Sequence, residues 1–69
     1  MKTSARNKIE GTITGIEVGK VAASVKIEIG TGEVLTAVIT RESVEKMDLE
    51  TGDEVHAMIK ATSVMIAKE

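Results

Sequence analysis

Sixty-nine residues, 42% of them hydrophobic, with a net charge of −2 from 9 basic and 11 acidic side chains, describe one small and nearly neutral domain. That balance excludes a basic face for nucleic acid. The absence of Cys excludes disulfides and thiolate metal sites, and a single His cannot build a zinc site without several carboxylates.

With no Phe, Tyr or Trp, the core must be built from Val, Ile, Leu, Met and Ala. A chain this short buries only about 60% of its unfolded surface. Without disulfide or metal to support it, oligomerisation is the expected means of covering the surplus apolar surface. No apolar run approaches the roughly 18 residues of a membrane helix. The opening Met1-Lys2-Thr3-Ser4 carries no apolar segment, so no secretory leader is expected, and a cytoplasmic location is.

In chain order, residues 8–18 form a first strand whose apolar phase runs through Ile9 and Ile13 and then switches to Ile16 and Val18. A phase switch beside Gly15 predicts a bulge or sharp bend. Gly19-Lys20 turns into a second strand, in which Val21, Ala23, Val25, Ile27 and Ile29 alternate with Ala22, Ser24, Lys26 and Glu28. Gly30-Thr31-Gly32 reads as a hairpin turn. Residues 33–40 are apolar on both phases, which predicts a third strand covered on both faces. Residues 41–47 read as a short helix, with Thr40 as its cap and Glu42 and Glu45 near the positive end of its dipole. A turn at Glu50-Thr51-Gly52-Asp53 leads to a fourth strand through Val55, Ala57, Ile59 and Ala61, and residues 64–67 predict a short fifth strand. The expectation is therefore a mainly β, OB-like five-stranded Greek-key barrel with one short helix between strands 3 and 4.

Two clusters carry the functional argument. Ser4-Ala5-Arg6-Asn7 and Lys60-Ala61-Thr62-Ser63 each hold one cation and small hydroxyl or amide side chains, with no carboxylate. Alone, each reads as ordinary surface. Together they offer only positive charge and hydrogen-bond donors, which suits a fully deprotonated oxyanion. Where the fourth strand ends, the backbone N–H groups of Ala61, Thr62 and Ser63 lose their ladder partners, and successive free N–H groups can form an anion-binding nest.

With Thr40-Arg41-Glu42-Ser43-Val44 at mid-chain and Val64-Met65-Ile66 after the second cluster, this arrangement closely resembles the molbindins, small molybdate- and tungstate-binding proteins. The same domain recurs in molybdate-responsive regulators and molybdate transporter ATPases. The resemblance covers essentially the whole chain, read as one Mop domain over residues 1–69. It implies an OB-like fold, a homohexamer built as a trimer of dimers, and oxyanion sites at subunit interfaces. Ser4, Arg6 and Lys60 match the family's interfacial ligands. Ala61, Thr62 and Ser63 match the adjoining donors, and Thr40 matches a position that also lines the site. A second kind of site, on the threefold axis, falls near Gly19, Lys20 and Val21.

The function expected is intracellular storage or buffering of molybdate or tungstate. The anion is the bound ligand, no metal is coordinated directly by protein groups, and there is no organic cofactor and no membrane or nucleic-acid partner. The alternatives are an OB-fold nucleic-acid binder, weakened by the absence of aromatics for base stacking, and a protein-docking module. No nucleophile–base pair or phosphate loop supports an enzyme. His56 reads as a surface or interface residue, the four Met as core or interface filler, and the acids from Glu42 to Glu54 as a solvated face without calcium-loop spacing.

Overall fold

The computed structural model describes residues 2–69. The elements follow as β1 (Asn7–Val18), β2 (Ala22–Ile29), β3 (Val34–Thr40), α1 (Arg41–Met47) and β4 (Glu54–Ile59), with one turn of 3-10 helix, Ala61–Ser63, after β4. The strands form one curled antiparallel sheet in the order β3-β2-β1-β4.

β1 is the spine of the sheet. Its first half pairs with β4, from Asn7↔Ile59 to Thr12↔Glu54. Its second half pairs with β2, from Gly11↔Ile29 to Val18↔Ala23. The register shifts between Ile13 and Gly15, which leaves Thr14 as an extra residue where the apolar phase switches. A bulge bends its strand and increases the local twist, so β1 can serve one partner on each side of a curled sheet. At the crossing the backbones approach closely: a Cβ on Gly11 would lie 2.5 Å from Ile27 Cγ2 and 2.8 Å from the Glu28 carbonyl oxygen.

The concave face carries the aliphatic core. Ile13, Ala23, Val25 and Ile27 are buried on the sheet, and Val44 of α1 closes over them. Leu35, Ala37 and Ile39 of β3 and Val55 and Ala57 of β4 pack around this centre. The period-two pattern of β2 is thus realised, with Lys26 and Glu28 outside. Gly32, at φ +90°, closes the β2–β3 hairpin by donating to the Ile29 carbonyl at 2.9 Å.

α1 begins where the sequence places it. Thr40 Oγ1 accepts from the Ser43 N–H at 3.0 Å, and Arg41–Glu45 and Lys46–Glu42 pair at i,i+4. Asp48 ends the helix in the left-handed region.

Two expectations are corrected. β3 is covered on one face only. It lies at an edge of the sheet, and Val34 and Val38 of its outer face are exposed, Val38 by 73%. There are four strands among the described residues, not five. The N–H groups of Ser63 and Val64 turn back to the Lys60 and Ala61 carbonyls, which diverts the chain at the end of β4, and residues 64–67 run on unpaired. Met65 and Ile66 are 92% and 94% exposed.

Candidate oxyanion site

The two donor clusters meet at one end of the β1–β4 ladder. The pairing of Asn7 with Ile59 brings Arg6 next to Lys60, and the Asn7 side-chain amide reinforces the pair by donating to the Ile59 carbonyl at 3.3 Å. Beyond this point the chain leaves the sheet on both sides. One side is the Thr3–Arg6 approach to β1, where the Ala5 N–H donates to Thr3 Oγ1 at 3.1 Å. The other is the turn after β4, where the Ser63 N–H donates to the Lys60 carbonyl at 2.9 Å.

Between them lies an open depression of about 360 Å³, lined by Thr3, Ser4, Ala5, Arg6, Lys60, Ala61 and Thr62. No carboxylate lines it. The ion pairs found among the described residues, Arg41–Glu45 and Lys46–Glu42, and the His56–Glu10 contact all lie elsewhere, so both cations are left without an acidic partner there. A larger depression at the β2–β3 turn is lined by Glu10, Glu28, Glu54 and His56, and its charge has the wrong sign for an anion.

Within the proposed donor set, Ser4, Arg6, Lys60, Ala61 and Thr62 are thus gathered, and Ser63 stands at the margin. The Ser63 N–H is spent inside the 3-10 turn, so the nest narrows to the N–H groups of Ala61 and Thr62, which have no partner within it. Thr3 was not anticipated. The signal available was its position two residues before Ala5, the spacing of a hydroxyl that bonds its own backbone.

Thr40 is not in this depression. It pairs with Ala22 at the opposite end of the sheet, and the Arg41 N–H donates to the Val21 carbonyl at 2.8 Å. Its neighbours are therefore Gly19, Lys20 and Val21, the residues expected to form a second site. The bent 12-residue strand β1 separates the two groups, in a molecule whose longest dimension is 37 Å. Among the described residues no group of three or more His, Asp or Glu side chains is arranged to hold a metal ion, and no helix is long and apolar enough to cross a membrane.

Residues 3–66 match the TOBE domain. A probable molybdenum-pterin-binding protein of Haemophilus influenzae is 48% identical over the full length of both chains. This chain is a TOBE-domain protein of the molbindin type. The molybdate-binding protein of Sporomusa ovata superposes with a TM-score of 0.93 at 43% identity, over 99% of this chain and all of that one. ModG, a cytoplasmic molybdate-binding protein solved with molybdate bound, gives a TM-score of 0.83 at 38% identity over 88% of this chain and 43% of its own. The Arg6–Lys60 depression of this molbindin-type domain therefore lies in a fold that its solved neighbours share along nearly the whole chain.

Proposed function

We propose that residues 1–69 act as one molybdate-binding domain, which holds molybdate, or tungstate, reversibly and without chemistry, for storage or buffering in the cytoplasm. The observation that carries this reading is the gathering of Ser4, Arg6, Lys60, Ala61 and Thr62 around one carboxylate-free depression. A tetrahedral dianion with only acceptor oxygens is matched by cations, hydroxyls and backbone N–H groups. A protonated phosphate is met best by a carboxylate acceptor, and no carboxylate lines this depression.

The depression on one chain is open, and the expected ligand Thr40 is far from it. Both facts support a site completed by a neighbouring copy, with Thr40 and Ser63 contributing across a subunit interface of a homohexamer, a trimer of dimers. The same assembly accounts for the missing fifth strand. Residues 64–67 would pair on a second copy, along the apolar groove that β3 and β4 leave open. Gly19, Lys20 and Val21 would form the second oxyanion site on the threefold axis.

The Haemophilus relative's name adds a pterin to the molybdenum. We read the ligand as the bare oxyanion, with no organic cofactor, because the chain has no Phe, Tyr or Trp ring on which a pterin could stack. Equilibrium dialysis of purified protein against molybdate, followed by mass analysis of what is released on denaturation, tests both statements. Molybdate bound and released alone is the expected result; no binding would sink the functional reading, and a co-released pterin would sink the bare-anion reading.

A further inference from the structure

Ser4, Ala5 and Arg6 of the first donor cluster line the carboxylate-free depression, and Asn7, its fourth member, does not. Asn7 is half-buried, and its Nδ2 donates to the Ile59 carbonyl at 3.3 Å, across 52 residues of chain. We propose that Asn7 is a positioning residue for the oxyanion site: its amide clasps the end of the β1–β4 ladder and holds Arg6 and Lys60 within reach of one anion. The role adds no ligand to the site; it deepens the oxyanion reading above and rests on it.

The ladder end has reason to need a clasp. Asn7↔Ile59 is the outermost pair of the register, so one step further out Arg6 comes opposite Lys60. Like charges opposite each other on neighbouring strands repel. No carboxylate lines the depression to offset them. Before an anion arrives, the repulsion favours a splayed end in which the two cations separate. Little else resists it there, since no ladder pair lies beyond Asn7↔Ile59. In a splayed end, molybdate has to draw the two halves together, and that ordering is subtracted from its affinity. The Asn7 amide holds the halves together in advance. Its effect therefore falls on a ligand that bridges both halves more than on the core around Ile13 and Val44.

The test compares the parent with Asn7→Ala and with Asn7→Ser, whose hydroxyl is too short to reach the Ile59 carbonyl. All are assayed at a temperature where circular dichroism shows them fully folded, so that lost stability does not enter. Equilibrium dialysis should show each variant binding molybdate about two- to tenfold more weakly than the parent, the scale of one neutral hydrogen bond. A bond with a merely structural role would lower the melting midpoint and leave the affinity of the folded chain unchanged. Without anion, amide hydrogen exchange at the Asn7–Ile59 end should be faster in the variants than in the parent. At saturating molybdate it should return toward the parent rate. Parent-like affinity in both folded variants would overturn the proposal. So would weaker binding with parent-like exchange in the anion-free chain, because Asn7 would then act on the anion itself. A parent that binds no molybdate would overturn the oxyanion reading, and this proposal with it.

Discussion

Asn7 and Ile59 form the terminal pair of the β1–β4 ladder, and the Asn7 amide bonded to the Ile59 carbonyl at 3.3 Å sets Arg6 and Lys60 side by side just beyond it. Neither cation contributes to the core. Arg6→Ala and Lys60→Ala should therefore leave circular dichroism and melting in anion-free buffer nearly unchanged. Each should weaken molybdate binding by about 1.5–3 kcal/mol, tenfold or more, the scale of a lost charge-assisted hydrogen bond. Titration calorimetry showing parent-like binding in both variants would refute the site.

Selectivity follows from the same lining. Small side chains at Ser4, Ala5 and Ala61 leave room for the longer metal–oxygen bonds of molybdate and tungstate. Thermal melts at equal ionic strength should show molybdate and tungstate raising the midpoint more than sulfate, and phosphate least. At a hundred times its dissociation constant the bound anion adds about 2.7 kcal/mol. Equal shifts with sulfate and molybdate would reduce the site to a generic anion site.

Thr40 has a structural duty that can be separated from any role in binding. Its Oγ1 accepts from the Ser43 N–H, and Ser43 Oγ lies 2.8 Å from the same oxygen. Thr40→Ala should lower stability by about 1 kcal/mol, with much of that recovered in Thr40→Ser. Denaturant titration that gives the two variants equal midpoints would show that the cap contributes nothing.

Much of this architecture was legible in the residues. The switch from Ile9 and Ile13 to Ile16 marked the bulge at Thr14, because a period-two pattern cannot change phase without an extra residue. Thr40 announced the helix because a capping oxygen and an apolar pair three apart are local features. The fifth strand was not legible in the same way. Val64-Met65-Ile66-Ala67 has strand composition, but a strand is a relation between two segments, and composition does not say on which chain the partner lies. The same holds for Val34 and Val38, whose apolar character signals a covering surface without naming its source. For the site, sequence could pair the two donor clusters through their chemistry. It could not show that Thr40 lies at the far end of β1 from them.

Removing residues 64–69 separates fold from assembly. These residues make none of the sheet pairings, so the truncated chain should keep its strand signal in circular dichroism. It should sediment as a smaller species than the parent. A truncated chain of unchanged size would show that the exposed Met65 and Ile66 have no part in association.

The two partners of β1 also predict an order of events. The β1–β2 hairpin joins segments adjacent in sequence, whereas the Asn7–Ile59 contact closes a span of 52 residues. Local pairings form before distant ones because less chain entropy is lost. The two halves of the depression are thus strangers to each other until the last stretch of the ladder zips. Molybdate then has nothing to grip in the folding transition state, and its stabilisation should appear almost entirely as slower unfolding, with the refolding limb of the kinetics unmoved.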